Sequence, residues 1–146
     1  MIEEYRGFSI EDDKWIYGSL INNAFFKKGT KEACCYIFDN EMAPDYDCWE
    51  DIAEWISYLE VDPKSIGQYI GMKDKNDDKL YKGDIVQYII AWPEDGNPIM
   101  TRKEIIYDDE NLCFCLKYSQ QLLTCQFSHE FEKVGNVYEN PELVKA

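Results

Sequence analysis

The chain has 146 residues, of which 45% are apolar and 15% aromatic, which suffices for the core of one compact domain or two small lobes. Its formal net charge of −14 argues against nucleic acid as a direct ligand, because binding phosphates requires clustered lysine and arginine. No stretch reaches the roughly 18 apolar residues of a membrane span, and the acidic start MIEEYRGFSIEDD is unlike a signal peptide, so we predict a cytoplasmic protein without membrane contact.

The N-terminal part begins with two predicted strands, Tyr5–Ile10 and Lys14–Ile21, which the acidic residues 11–13 join as a hairpin. Residues 22–32 are predicted to form a polar loop. The apolar run Ala33–Phe38 is predicted to be a strand, because it is too brief for a helix.

One amphipathic helix is predicted over Cys48–Leu59. Its apolar residues recur at spacings of three and four and form one stripe: Trp49, Ile52, Ala53, Ile56 and Leu59. Asp47 is placed to cap the first turn, with Glu50 three residues later as in a capping box. Pro63 marks the end of the helical segment.

From residue 66 onward, short apolar runs alternate with turns rich in Asn, Asp, Gly and Pro. The predicted strands are Ile66–Ile70, Leu80–Trp92, Arg102–Tyr107, Leu112–Tyr118, Leu122–Phe127 and Phe131–Tyr138. This pattern predicts a small, curved antiparallel barrel. Its interior is predicted to contain Ile85, Val86, Tyr88, Ile90, Ile106, Phe114 and Val137.

The predicted fold class is therefore mainly β, within the α+β type. An N-terminal lobe of residues 1–62 holds the hairpin and the acidic helix 48–59, and residues 63–146 form the barrel-like lobe. The segment EVDPKS, residues 60–65, is the predicted boundary, and we expect the two lobes to pack as one unit.

The stretch GMKDKNDDKLYKGD, residues 71–84, resembles a phosphate-binding loop in its glycines. Such a loop must end in Gly-Lys-Ser/Thr and enter a helix, whereas a strand follows Gly83. We predict instead a turn in which Asn76 and Asp77 tolerate left-handed backbone geometry. Gly71 and Gly83 are predicted to mark bulges or sharp bends, and no cofactor is predicted.

The same stretch also resembles the start of a calcium-binding loop. Asp74, Asn76 and Asp78 alternate as the first ligands of an EF-hand do, but the required Gly and Glu at positions six and twelve are Lys79 and Ile85. The turn interpretation is favoured, and no metal is predicted.

No catalytic residue is predicted. His129 is the only histidine, and its neighbour Ser128 would point to the opposite face of a strand, so that the two cannot readily share a proton. Cys113 and Cys115 share a face and could bind zinc with His129, but a structural zinc site needs four ligands. All six cysteines are predicted to be reduced and mostly buried.

Three segments resemble the YopX family of phage and prophage proteins. They are KWIYGSLI at 14–21, EVDPKSIGQYIGMKDKN with LYKGDIV at 60–86, and VGNVYENPEL at 134–143. One departure is Asp77, where the family usually has glycine. The resemblance implies a small, mostly β, phage-encoded protein that acts in a bacterial cytoplasm, and it supplies no catalytic residues.

The leading hypothesis is that the chain is a non-catalytic protein that binds a host or phage protein. Self-association into a homo-oligomer is also left open. Residues 39–62 hold nine acids and no base, and such a negative potential steers association with basic partners. The predicted partner-binding residues, which could also imitate the phosphates of DNA, are Asp45, Asp47, Glu50, Asp51 and Glu54. The alternatives are a merely solvated acidic face and, for the whole protein, a small-molecule binder or uncharacterised enzyme that uses a cleft between the lobes.

Overall fold

The computed structural model describes residues 4–26, 33–38, 55–118 and 130–144. Its strands are β1 Tyr5–Phe8, β2 Trp15–Phe26, β3 Ala33–Phe38, β4 Glu60–Val61, β5 Gly67–Lys73, β6 Lys79–Tyr81, β7 Asp84–Ala91, β8 Ile99–Asp108, β9 Cys113–Leu116 and β10 Glu132–Asn136. Two short 3₁₀-helices are formed by Pro63–Ser65 and Pro141–Val144. The predicted mainly β class is confirmed.

Two compact units make up the chain, residues 1–68 and 69–146. We call them unit 1 and unit 2. The predicted lobe boundary after residue 62 stays a prediction. None of the helices in the described residues has the length and apolar character that crossing a membrane requires.

Unit 1 is built on an antiparallel sheet with the spatial order β4-β3-β2-β1, followed by the first residues of β5. The predicted hairpin is confirmed, and the N–H of Ser9 donates to the carbonyl of Lys14 at 2.8 Å beside its turn. The predicted loop at 22–32 is wrong in its first part, because β2 continues to Phe26. The register of β2 against β3 shifts between Ile21 and Phe25, so that a bulge accommodates the polar residues there.

The core of unit 1 lies between this sheet and the turn that precedes β4. Its buried members are Ile16, Cys35, Ile37, Leu59 and Val61. Residues 55–57 are helical, and the N–H of Leu59 donates to the carbonyl of Ile56 at 2.9 Å in a tighter final turn. The predicted helix therefore ends two residues early, and its residues 48–54 lie outside the described ranges.

Unit 2 contains a four-stranded antiparallel sheet in the order β10-β7-β8-β9, and the rest of β5 pairs with β6. The predicted single strand Leu80–Trp92 is two strands, because the chain bends at Gly83, whose φ is 95°. The strands of the described residues form no closed barrel, so the predicted closure is not present there. Predicted strand 122–127 lies outside the described residues.

The predicted interior residues differ in how deeply they are buried. Ile85 and Val86 are both 0% exposed, so both faces of β7 are covered at its start. Tyr88 packs against the core cluster of unit 2, whose buried members are Leu80, Val86, Ile105, Leu116 and Phe131. The prediction for Ile90 is wrong, since it is 58% exposed.

The prediction that Ile106 of β8 lies in the interior is wrong, because the core covers the other face of this strand. Ile105 is fully buried and Ile106 only half-buried, because the core lies on the side that Ile105 faces. Phe114 and Val137 are also half-buried rather than interior. Consecutive apolar residues do not indicate which face of a strand the core covers.

We predict that Gly7→Ala destabilises unit 1 by about 1–3 kcal/mol, the cost of overpacking a core. A methyl group on Gly7 would lie 2.8 Å from Cβ of Val61 and 2.9 Å from Cδ1 of Ile37. Chemical denaturation measures the change. Gly96→Ala is the control, because nothing lies within 4 Å of that position and only its backbone strain at a φ of 83° is added. A loss below about 0.5 kcal/mol for Gly7→Ala, the usual size of a surface substitution's effect, would refute the packing argument.

Candidate functional site

The acidic turn of residues 74–78 is organised around the buried carboxylate of Asp74. Its Oδ1 accepts the N–H groups of Asn76 and Asp78, each at 2.9 Å. Its Oδ2 accepts the N–H of Lys133 on β10, also at 2.9 Å. Both oxygens are therefore engaged by main-chain donors, and Asp74 acts as a structural clamp.

Backbone geometry in the same stretch agrees with the predicted turn. Asp77 has a φ of 66°, the left-handed geometry that glycine adopts most readily. Gly71 has a φ of 86° and lies where the register of β5 against β6 shifts, which confirms the predicted bulge. The ammonium of Lys73 lies 3.6 Å from the Asp77 carboxylate, in an exposed pair.

Asp84 forms a second clamp at the bend between β6 and β7. This carboxylate is 0% exposed, and its Oδ2 accepts the N–H of Tyr81 at 2.7 Å. The ammonium of Lys133 lies 3.4 Å from the same oxygen and 5.8 Å from the centre of the Tyr81 ring. The charge of Asp84 is thus balanced inside unit 2, as a buried carboxylate requires.

The DPKS segment has an equivalent structural role in unit 1. The Asp62 carboxylate accepts the N–H of Lys64 at 3.0 Å and so caps the first 3₁₀-helix. The hydroxyl of Ser65 donates to the Asp62 carbonyl at 2.6 Å and accepts the N–H of Phe8 at 2.7 Å. Ser65 therefore ties this helix to the end of β1.

Hydrogen bonds from side chains to the main chain also fix the C-terminal segment. The side-chain oxygen of Asn136 accepts the N–H of Glu139 at 2.8 Å, and that of Asn140 accepts the N–H of Asn136 at 3.3 Å. A methyl group on Gly135 would lie 2.6 Å from the Asn140 side-chain oxygen, so alanine there would displace this oxygen, which accepts the N–H of Asn136. The most distinctive sequence motifs thus hold loops in place.

An exposed apolar surface lies at the far ends of β7 and β8. We call it the apolar hairpin surface, and its residues are Ile89, Ile90, Trp92, Ile99 and Met100. Trp92 is 68% exposed and Ile90 58%. The register places Ile89 opposite Met100, and a bulge follows at Ile90. Between the two strand ends, the turn carries the exposed acids Glu94 and Asp95.

A groove of about 390 Å³ runs beside this surface. Ile89, Ile90 and Trp92 line it, together with Lys75 and Glu130. The groove is large enough to receive one or two side chains of another protein. Sequence reasoning missed this surface by assigning Ile90 to the core, although five consecutive apolar residues from Tyr88 exceed what one covered face of a strand can hide.

Several predicted site residues lie outside the described ranges. They are Asp45, Asp47, Glu50, Asp51, Glu54, Ser128, His129, Cys48 and Cys125. Across the described ranges, no three His, Cys, Asp or Glu side chains are grouped so that they could hold a metal ion. Of the four described cysteines, all of them free thiols, Cys113 is half-buried and the other three are buried.

The chain is similar to known proteins over nearly its whole length. The family model described as YopX protein matches residues 4–145. The crystal structure of protein EF1440 from Enterococcus faecalis is similar, with a TM-score of 0.56 and 19% identity over 99% of each chain. At that identity the likeness concerns the fold alone. No curated protein matches the chain significantly.

We predict that Asp74→Ala lowers the free energy of unfolding by about 2–4 kcal/mol, because it leaves three backbone donors without their charged acceptor. Urea denaturation followed by circular dichroism measures the loss. Asp78→Ala is the matched control: its side chain is exposed, so we expect a change below about 0.5 kcal/mol. A loss no greater for Asp74→Ala than for this control would contradict the clamp.

We predict that Cys115 reacts with iodoacetamide more slowly than Cys113 in the folded protein. Burial raises the pKa of the Cys115 thiol, with smaller contributions from Asp108 and Cys113, so little reactive thiolate forms near neutral pH. Mass spectrometry of the alkylated peptides gives both rates, and urea-unfolded protein is the reference. Cys115 labelling at its unfolded rate in the native protein would refute the expectation.

Proposed function

The chain belongs to the YopX family, and we propose that it is a non-catalytic phage or prophage protein that acts through protein contacts in a bacterial cytoplasm. One observation carries the proposal, which is the apolar hairpin surface. It is exposed on a chain whose net charge is −14.

Apolar side chains gathered on one exposed surface favour a contact site, since soluble proteins rarely expose large contiguous apolar patches. Tryptophan is among the residues that contribute most to binding energy at interfaces. Trp92 stands at the end of the hairpin, with Ile90 nearby on the same strand end. We assign these two residues as the principal anchors.

Charge supports a particular chemistry for the partner. Glu94 and Asp95 lie in the turn that joins the two apolar strand ends, and both are exposed. The proposed partner is therefore a protein with an apolar pocket whose rim carries lysine or arginine. The pocket would receive Trp92 and Ile90, and the basic rim would face the acidic turn.

The test compares two double variants of the full chain in capture experiments from the bacterial host. Ile90→Ala/Trp92→Ala removes both anchors, whereas Ile10→Ala/Leu112→Ala removes exposed apolar residues elsewhere and serves as the matched control. We expect a protein captured by the natural sequence to be retained by the control and lost with the anchor variant. With the purified partner, Trp92→Ala should raise Kd about 30-fold, the effect of a residue worth about 2 kcal/mol.

Two results would overturn this assignment. One is equal capture by both double variants. The other is a concentration-dependent dimer in sedimentation that the anchor variant abolishes, because a second copy would then occupy the surface. Circular dichroism of each variant establishes that the fold is kept.

The acidic segment is proposed as a second contact surface, which could act as a mimic of DNA. Its support is the run of nine acids without a base in residues 39–62. The residues proposed to carry it are Asp45, Asp47, Glu50, Asp51 and Glu54. Such a surface would meet a basic, DNA-handling protein of the host.

We predict that the triple variant Glu50→Gln, Asp51→Gln and Glu54→Gln weakens binding to that partner without loss of fold, and that binding of the natural sequence falls steeply with salt. Titration at several salt concentrations measures both effects. Glu110→Gln, an exposed acid on the β8–β9 turn, is the control. Affinity that depends on neither salt nor the three substitutions would exclude mimicry.

A further inference from the structure

The outer half of β7 has an open edge on the side of β10. β10 pairs with β7 only from Asp84 to Gln87, whereas β8 pairs with the other side of β7 as far as Ala91. Among the strands of the described residues, none lies beside Tyr88–Ala91 on the β10 side. An open strand edge presents main-chain groups that can pair with a strand of another protein.

Ile89 directs its main-chain groups to this open edge. The carbonyl of Glu104 accepts the N–H of Lys117 at 2.9 Å, so the main-chain groups of Glu104 face β9. Its register partner Ile85 therefore belongs to a pair that is not hydrogen-bonded between β7 and β8, and the register is unbroken from Ile85 to Ile89. Because bonded and non-bonded pairs alternate in an antiparallel ladder, the N–H and C=O of Ile89 also face away from β8.

The groove of about 390 Å³ lies along the same edge. Two of its lining residues are on the β10 side, since Glu130 precedes β10 and the N–H of Lys75 donates to the carbonyl of Phe131 at 2.9 Å. The apolar lining comes from the end of β7 and consists of Ile89, Ile90, Ala91 and Trp92. Successive side chains of a strand point to opposite faces, so every second side chain of an added strand would contact this apolar lining.

Charge favours a basic occupant of the groove over a second copy of the chain. Lys75, the cation of the lining, pairs with Glu132 at 3.5 Å. Glu130 is exposed at the groove, and the exposed acids Glu94 and Asp95 lie in the turn beyond Trp92. A second copy on this edge would bring its own acids to the same place, on a chain whose net charge is −14. A segment that carries lysine or arginine would instead find opposite charge.

We propose that the partner docks by adding an extended segment to the β10 side of β7, in which apolar and basic residues alternate. Its main chain bonds to the N–H and C=O of Ile89, its apolar side chains fill the groove, and its basic side chains face Glu130 and the acidic turn. In such strand addition the main-chain hydrogen bonds give affinity and the pockets for alternate side chains give specificity. This inference rests on the proposed function, because it specifies how the partner engages the apolar hairpin surface.

The test uses a synthetic peptide of alternating valine and lysine, about six residues long as a usual strand is, with both ends capped. Hydrogen exchange of the full chain, followed by NMR, reports on single amides. In the free chain we expect the Ile89 amide to exchange quickly, whereas the Tyr88 amide, which faces β8, is protected. Saturating peptide should slow exchange at Ile89 about fivefold or more, the effect of a gained hydrogen bond, and leave Tyr88 unchanged.

Two matched controls isolate the main-chain bonds. A peptide with the same side chains and an N-methylated backbone cannot donate hydrogen bonds, so we expect it to bind about tenfold more weakly or worse. Ile89→Pro removes the N–H at the edge, whereas Ile89→Ala keeps it, and both variants lose the isoleucine side chain. Proline is tolerated where a strand's N–H faces outward, so Ile89→Pro should fold and lose the peptide, while Ile89→Ala retains it. Thermal melts check the fold, and the N-methylated peptide decides if Ile89→Pro does not fold.

Four results would overturn the inference. The Ile89 amide is already protected in the dilute free chain, which means that the chain itself covers the edge. Its protection rises with protein concentration, which means that a second copy does. The peptide has no effect at about 10 mM, a concentration that detects even millimolar affinity. The N-methylated peptide binds as tightly as the plain one. If capture of a host protein still depends on Ile90 and Trp92, the proposed function stands after any of these except the second, and the partner docks through side chains alone.

Discussion

Two buried carboxylates hold unit 2 together, and both depend on one residue of β10. The N–H of Lys133 donates to Asp74, and its ammonium pairs with Asp84. Burying a carboxylate costs several kcal/mol unless hydrogen bonds and an opposite charge compensate it. Main-chain hydrogen bonds compensate Asp74, and a hydrogen bond together with the Lys133 ammonium compensates Asp84, so the acidic turn and the bend at Gly83 are fixed to the same strand. Removing a partner of either carboxylate would leave a buried charge uncompensated, which destabilises the fold.

In unit 1, neutral hydroxyl groups rather than carboxylates form the buried hydrogen bonds to the main chain. Ser9 is fully buried, and its hydroxyl donates to the Tyr58 carbonyl while accepting the N–H of Asp12. With Ser65, it connects the β1–β2 hairpin to the segment that enters the second half of the chain. In both units, the polar residues of the distinctive motifs satisfy main-chain groups of loops, which must find partners once they are buried.

Local patterns predicted part of this fold. The β1–β2 hairpin, the bends at Gly71 and Gly83 and the left-handed Asp77 follow from turn chemistry that acts over a few residues. The continuation of β2 past Ile21 could not be predicted, because a bulge removed the expected alternation and polar residues resembled a loop. The two-residue strand β4 left no signal of its own, since its place depends on pairing with β3.

Burial was harder to predict than strand position. The run from Ile85 to Trp92 is apolar except for Gln87, yet its first residues are inside and its last are exposed. The difference depends on what covers each end, and that is a property of distant segments such as β10, which pairs with β7 only from Asp84 to Gln87.

Residues 71–84 stabilise the fold through their buried carboxylates, while the apolar hairpin surface of unit 2 is exposed and free for contacts. Because the motif's carboxylates accept main-chain N–H groups, their partners should be the most protected amides of their loops. An exposed carboxylate in a turn gives no such protection, and the bond from the N–H of Asn97 to Asp95 is an example.

Native-state hydrogen exchange of three amides tests this directly. The N–H groups of Tyr81 and Lys133 donate to buried aspartates, whereas that of Asn97 donates to an exposed one. We expect Tyr81 and Lys133 to exchange only through global unfolding of unit 2, with the same denaturant dependence as the core, and Asn97 to exchange through local opening. Exchange of Tyr81 and Lys133 as fast as that of Asn97 would contradict the structural role of the buried carboxylates.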